Sequence, residues 1–371
     1  MPDTTMLGLS VSDCLRLRQQ ALRAQFAARR IATFLVTKPV SLFYLTGFRG
    51  STGLAVFTAA DATLMVDPRY TLQARNQAVG VEVVEIKHGL LRAAGLRLSK
   101  ARRVRVGFED THLTCSEFRL LRDEAGSSAR WQPAGSLVED IRAVKDAVEI
   151  ERVREAGKLS AQVFQEVAKN LHPGVTERDL AAEIEYRLRR QGADGAAFET
   201  IVASGARAAL PHARPSGKAL GPGDLVIIDF GATLSGYASD LTRTLYLGKP
   251  SRRVRSLYAA VLEAQREAID RLRAGVRAGE VDATARRRLR HYNLQKFFTH
   301  STGHGVGIEI HEQPRLGKGE KRRLAAGNVV TVEPGIYLED FGGIRIEDTV
   351  LVTRDGSEIL TPAPIDPWWT A

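Results

Sequence analysis

The stretch Asp229-Phe-Gly-Ala-Thr-Leu-Ser-Gly-Tyr-Ala-Ser-Asp240 carries a carboxylate at each end of what reads as a strand, a turn and a returning strand. It follows Asp224-Leu-Val-Ile-Ile228, an apolar run heading into a core. A turn centred between Leu234 and Ser235 sets Asp229 directly opposite Asp240, because 234.5 lies midway between 229 and 240. Opposed residues of an antiparallel pair have Cβ atoms about 4.5–5.5 Å apart, and like charges there are destabilising. Either the register slips so that the acids miss each other, or something cationic sits between them.

The same pattern returns further along the chain. Gly223-Asp-Leu-Val-Ile-Ile-Asp229-Phe-Gly231 matches Gly327-Asn-Val-Val-Thr-Val-Glu333-Pro-Gly335, and Leu220 matches Leu324 in that register. Upstream, His212-Ala-Arg-Pro215 matches His311-Glu-Gln-Pro314; downstream, Asp240-Leu-Thr242 matches Glu347-Asp-Thr349. The offset drifts from 99 (311 − 212) through 104 (333 − 229) to 107 (347 − 240), so loop lengths differ while the order of elements persists. Each match contains a His or an acid. The pattern predicts a duplicated half-domain with one polar site between the halves.

Alternation along a strand says where these acids point. Asp229 shares a face with Leu225 and Ile227, Thr331 lies with Glu333, and Arg345 lies with Glu347. Four acids aimed at a common interior cannot stay ionised together without compensation, because desolvation and mutual repulsion raise their pKa values. His300-Ser-Thr-Gly-His304-Gly-Val-Gly-Ile-Glu-Ile-His311 adds three histidines in a Gly-rich segment. Neutral imidazole is a common metal ligand. One His with four carboxylates is an oxygen-rich set suited to two divalent ions bridged by carboxylates.

At 371 residues the chain is longer than one typical domain, and 44% hydrophobic with 26% charged residues is ordinary for a globular protein. Cys14 and Cys115 form no disulfide or metal pattern, which suits a reducing cytosol. Met1–Ser10 has no basic region followed by an apolar run, and no segment approaches a membrane span, so a cytoplasmic protein is expected. The net charge of +10 comes from Arg scattered through apparent helices, without an aromatic-interleaved basic motif or zinc-finger spacing, so neither nucleic acid nor membrane is expected as a partner.

The first third mixes strand signals (32–36, 52–57, 63–66, 81–86 and 103–106) with helical intervals at 11–30, 70–77 and 117–124, as expected for an α/β domain with a mixed sheet. From Leu137 the texture changes to long charged helices, expected at 143–171, from a cap near Thr176 to Gly192, and at 254–274. The boundary is therefore placed near residue 138, giving domains 1–138 and 139–371.

The ordered set Asp229, Asp240, His304, Glu333 and Glu347, with His304-Gly-Val-Gly, Glu333-Pro-Gly and Arg345-Ile-Glu347-Asp, resembles the metal-ligand signature of the pita-bread metallopeptidases, which include methionine aminopeptidase, aminopeptidase P and prolidase. Tyr44-Leu-Thr-Gly-Phe48 resembles the creatinase-type N-terminal domain of the proline-specific members. The resemblance implies an α/β creatinase-type domain followed by an α+β pita-bread catalytic domain with an internal pseudo-twofold repeat. It implies that Asp229 chelates one metal, that Asp240 and Glu347 bridge both, and that His304 and Glu333 complete the other. The ions are expected to be Mn2+, with Co2+ or Zn2+ as alternatives. By the same resemblance Glu333 shuttles a proton, His212 and His311 contact substrate and intermediate, and His300, Arg345 and Tyr337 line the substrate site. A homodimer is implied too, with the loop Gly47-Phe-Arg-Gly-Ser-Thr-Gly53 near a substrate channel.

The leading expectation is an Xaa-Pro aminopeptidase acting on peptides with proline second; the alternative is an Xaa-Pro dipeptidase, since the catalytic motifs are shared. Arg345 is expected to be contested by Glu347, which favours the aminopeptidase. A metal-free creatinase-like hydrolase needs the ligand positions lost, and all five are intact. A non-enzymatic binding protein has no physical reason to keep repulsive acids facing one another.

Overall fold

The computed structural model describes residues 9–101, 103–169, 171–365 and 368–369. The first eight residues, part of the Met1–Ser10 stretch read for a leader, lie outside the described residues. The chain divides into two units, the first ending at Arg142 and the second beginning at Ala143.

The first unit opens with α1 (Val11–Arg29), whose start is set by a capping box between Ser10 and Asp13. β1 (Thr33–Val36), α2 (Pro39–Thr46), β2 (Leu54–Thr58), β3 (Ala62–Val66), α3 (Thr71–Gln77), β4 (Glu82–Glu85), α4 (Leu90–Ser99), β5 (Val104–Phe108), α5 (Cys115–Ala125), β6 (Ala129–Pro133) and α6 (Leu137–Arg142) follow. The strands form one sheet in the order β4-β3-β2-β1-β5-β6, with β2 antiparallel to both neighbours and the remaining pairs parallel. This is the mixed sheet expected. The helix α2 carries no polar stripe: Leu42, Tyr44 and Leu45 are all buried, so it lacks the periodicity that announces a surface helix. Residue 138 lies within α6, and the division of the chain falls after it.

The second unit is built from two successive halves. The first contains α7 (Ala147–Lys169), α8 (Glu177–Arg190), β7 (Gly195–Ala196), β8 (Ile201–Ser204), β9 (Leu225–Phe230), β10 (Ala232–Leu234), β11 (Tyr237–Ala238) and β12 (Leu241–Leu247). The second contains α9 (Arg252–Arg271), α10 (Ala278–His291), β13 (Gly303–Gly305), β14 (Glu312–Leu316), β15 (Val329–Val332), β16 (Gly335–Leu338), β17 (Gly342–Arg345), β18 (Asp348–Val352), β19 (Ser357–Ile359) and β20 (Trp368–Trp369). Each half thus offers a helix pair followed by an antiparallel strand pair, β9–β12 and β15–β18. The helix expected from Ala143 begins instead at Ala147, because Asp146 and Glu149 exchange side-chain-to-backbone bonds that cap it there.

Alternation decides what each strand face meets. Val226 and Ile228 of β9, with Leu241 and Leu245 of β12, pack against Val163 and Phe164 of α7 and Ile184 of α8. Val330, Val332, Val350 and Val352 pack in the same manner against Val261 of α9 and Leu289 of α10. Asp229, Asp240 and Glu347 take the opposite face and point away from the helices, whereas Asp348 shares the helix-side face with Val350 and Val352. Two links join the halves. Thr242 bridges Glu347, and the buried Arg243 guanidinium donates to Asp348 at 2.8 Å. Gln265 of α9 and Thr361 also donate to the Asp348 carboxylate.

Removing one partner of a buried ion pair leaves an uncompensated charge, at a cost of about 3–5 kcal/mol. Asp348→Ala is expected to lower unfolding stability by about that amount, measured by denaturant titration. A loss under about 1 kcal/mol, the size of a surface pair, would refute the seam's importance.

Candidate metal centre

The opening register resolves by a slip of one residue in the turn. Leu234 pairs with Tyr237, so the loop is Ser235-Gly236, both at positive φ (51° and 80°), the conformation of a two-residue hairpin loop. Asp229 consequently faces Thr242, not Asp240. Asp240 is displaced by two residues and keeps its face. Diagonal neighbours of this kind lie about 7–8 Å apart rather than 5 Å.

Threonines hold the two acids at the seam. The Thr242 hydroxyl donates to Glu347 Oε2 at 2.5 Å, while Thr349 exchanges bonds with the Asp240 backbone, 3.1 Å to its N–H and 2.8 Å to its carbonyl. The backbones approach closely because two glycines allow it. A Cβ on Gly231 would stand 1.8 Å from the Ser239 carbonyl, and one on Gly303 would stand 1.9 Å from the Thr331 carbonyl. Thr331 joins the next pair of functional residues, its hydroxyl 3.1 Å from His304 N and 3.3 Å from Glu333 Oε1.

Asp240, His304 and Glu347 offer ligand atoms that all lie within 4.8 Å of one another. That span is about twice a metal–oxygen bond of about 2.0–2.2 Å. His304 Nδ1 donates to the Gly305 carbonyl at 3.0 Å, so its Nε2 carries a lone pair. This lone pair stands 3.6 Å from Asp240 Oδ2 and 3.5 Å from Glu333 Oε1. Three acceptors thus converge. Asp229 lies beside this set with one oxygen bound at 2.5 Å by Arg345 and the other, Oδ1, buried without a hydrogen-bond partner among the described residues. The residues fit a cation: facing acceptors, an orphaned carboxylate oxygen and a hard-oxygen donor set.

Electrostatics agree. Burial pushes the Asp240 carboxyl well above the usual carboxylate range, and the charges of Asp229 and Glu333 push further. Burial raises Glu347 likewise, with Asp240 adding to it. Burial drives Glu333 up to about 8 against the opposing pull of Arg345. Burial also lowers His304 and His300 to about 4, leaving both imidazoles neutral.

The flanking residues divide. His300 accepts from the Tyr337 hydroxyl at 2.8 Å through Nε2, and burial lifts that phenol to about 12. The His311 ring lies 4.3 Å from that of His304, and His311 is exposed. His212 is exposed as well; the carbonyl before it, from Pro211, accepts from Arg345 at 3.1 Å. The expected contest between Glu347 and other groups for Arg345 does not occur. The guanidinium donates to Asp229, Tyr337, Thr242 and Pro211, whereas Glu347 is taken by Thr242. Arg345 is 2% exposed, and its guanidinium holds one oxygen of Asp229. The braces Thr242 and Thr349 carried no assigned role in the sequence pattern, though each stands two residues after an acid in the repeated motif.

Comparison with known proteins agrees with this geometry. Residues 151–354 match the model of metallopeptidase family M24, and residues 18–144 match the creatinase/prolidase N-terminal domain. An Xaa-Pro dipeptidase of Pyrococcus furiosus is 35% identical over 88% of this chain and 92% of its own. The solved Xaa-Pro dipeptidase from Bacillus anthracis superposes with a TM-score of 0.92, at 36% identity over 96% of this chain and all of that one. An X-Pro aminopeptidase from Thermotoga maritima superposes at 0.87, with 36% identity over 94% of this chain and all of that one. These relatives favour the dipeptidase alternative over the aminopeptidase expectation. With a creatinase-type domain ahead of a duplicated unit whose acids and histidine converge, the chain belongs to metallopeptidase family M24.

Proposed function

We propose that this chain is a dinuclear Xaa-Pro dipeptidase. The observation that carries the reaction class is the convergence of Asp240, His304 and Glu347 within 4.8 Å beside the unpartnered oxygen of Asp229. Asp229, Asp240, His304, Glu333 and Glu347 would hold two divalent ions, Mn2+ first by the hard character of the donors. When bound, such ions lower the pKa of water and polarise a carbonyl. Glu333 holds and moves the proton: its carboxyl takes one from the attacking water and delivers it to the leaving prolyl nitrogen. A prolyl amide has no N–H, so its recognition depends on the carbonyl and on the substrate's two ends. We assign the exposed imidazoles of His212 and His311 to contacts with substrate and intermediate, and His300 and Tyr337 to the lining of the substrate site.

The dipeptide preference rests on the Xaa-Pro dipeptidases among the relatives. The Thermotoga maritima enzyme, at equal identity, supports the aminopeptidase reading. Cys14 and Cys115, which form no disulfide, suit a cytoplasmic location. A homodimer is part of the proposal.

Three outcomes are expected. The metal-loaded protein cleaves Gly-Pro with a kcat/KM well above that for Gly-Pro-Ala; the reverse order makes it an aminopeptidase, and cleavage of neither removes the proline reading. Light scattering gives twice the chain mass, and a fully active monomer contradicts the dimer. The third outcome concerns pH in the chelated protein. Glu333, raised to about 8, binds its proton more tightly when folded, so it contributes stability that is lost as pH rises through 8. His300 and His304, lowered to about 4, act in the opposite sense between that value and their ordinary 6.5. The melting temperature is therefore expected to fall between pH 6.5 and 8, and Glu333→Gln to flatten the fall. A melting temperature that rises across this window contradicts the assignment.

A further inference from the structure

The loop that carries His212 is closed at both ends by one carboxylate. Glu177, the first residue of α8, is fully buried. Its Oε1 accepts from Ser204 N at 2.8 Å and Ser204 Oγ at 2.9 Å. Its Oε2 accepts from Ser216 N at 3.0 Å, Ser216 Oγ at 2.7 Å and Arg207 Nε at 3.0 Å. Burial works to raise its pKa, but the bonds from Ser216 and Ser204 outweigh it and hold the carboxyl below its usual value, so Glu177 is an anion. Arg207 reaches on to the Arg214 carbonyl at 2.7 Å, spanning the loop that contains His212.

The closed loop is pressed against the strand that carries Arg345. A Cβ on Gly343 would stand 2.1 Å from the Ala208 carbonyl, and one on Gly342 would stand 2.8 Å from that of Gly205. Pro211 O then takes Arg345 Nη1 at 3.1 Å, and Arg345 Nη2 takes Asp229. Glu177 thus fixes both anchors of a loop whose apex sits at the edge of the metal centre, although α8 itself contributes no group to that centre.

We propose that Glu177 is a positioning residue for His212, acting through the Ser204–Ser216 loop; the proposal rests on the peptidase reading above. A carboxylate accepting five donors cannot be replaced by an amide, which has one acceptor oxygen and turns two hydrogens toward the donors. The loop then opens and His212 leaves its place, while the metal ligands stay.

The test is a double-mutant cycle with Glu177→Gln, His212→Ala and their combination, read as kcat/KM on Gly-Pro, bound metal by elemental analysis and histidine imidazole NMR signals. Glu177→Gln is expected to lower kcat/KM by about 10–100-fold with metal content unchanged. In the His212→Ala background it is expected to add less than about twofold, because residues acting as a unit are not additive. Its NMR signature is a shifted His212 signal beside an unmoved His311 signal. Losses that multiply, or a His212 signal that stays in place, overturn the proposal. Should Glu177→Gln fail to fold, Ser216→Ala removes one donor and is expected to shift the His212 signal in the same direction by less; no shift overturns the proposal. A parent protein that cleaves no Xaa-Pro substrate defeats the reading of function alone, since the NMR comparison still decides the position of His212.

Discussion

The site depends on an exchange of braces between the halves of the catalytic unit. Thr242 of the first half holds Glu347 of the second, and Thr349 of the second holds the Asp240 backbone of the first. Each threonine stands two residues beyond the acid of its own half, so one repeated acid-x-Thr motif yields two crossed contacts. Between them Arg243 and Asp348 form the buried pair that ties the same strands together. A buried pair is weak evidence of net stabilisation, since apolar residues of equal volume often serve as well. What it does supply is register. The guanidinium also donates to the carbonyls of Thr242, Glu347, Ala363 and Pro364, a set that no shifted alignment of the strands would satisfy.

The cost of that arrangement is electrostatic. Three buried carboxyls are driven upward in pKa and two imidazoles downward, all chiefly by burial. Without a cation the centre can lower its energy only by retaining protons on its acids. A divalent ion replaces those protons, so affinity for metal rises with pH and binding releases protons. Arg345 is a local counterion on Asp229, bonded to one of its oxygens and not to the other.

Much of this was legible in the residues. The repeat, the order of the acids and the period-2 faces all follow from side-chain types and spacing, and Val226 and Ile228 do turn to the helices while Asp229 turns away. The sequence centres the turn one residue early because Ser235 is a poor advertisement for positive φ, whereas Gly236 beside it is a good one. The start of α7 was obscured because the residues before it include Lys145, which is buried against Glu312 instead of continuing the helix. Arg345 was assigned to its sequence neighbour, but its partners Asp229, Thr242 and Pro211 come from more than 100 residues upstream. Such contacts are set by tertiary packing and leave no trace in local pattern. Substrate length is invisible for a similar reason: discrimination between substrates depends on the three-dimensional surroundings of a site and not on its motif.

The hairpin joining Asp229 to Asp240 also constrains how this family of chains can vary. Its two arms keep one register from the pair Leu225–Tyr246 to the pair Leu234–Tyr237. Because side chains alternate faces, lengthening the turn by a single residue and re-pairing would carry Asp240 to the opposite side of the sheet, among the apolar side chains of α7. A change of two residues would slide the acid along its strand yet leave it on the correct side. Length at this turn therefore behaves as a parity condition: odd changes abolish the constellation outright, and even ones only shift its spacing.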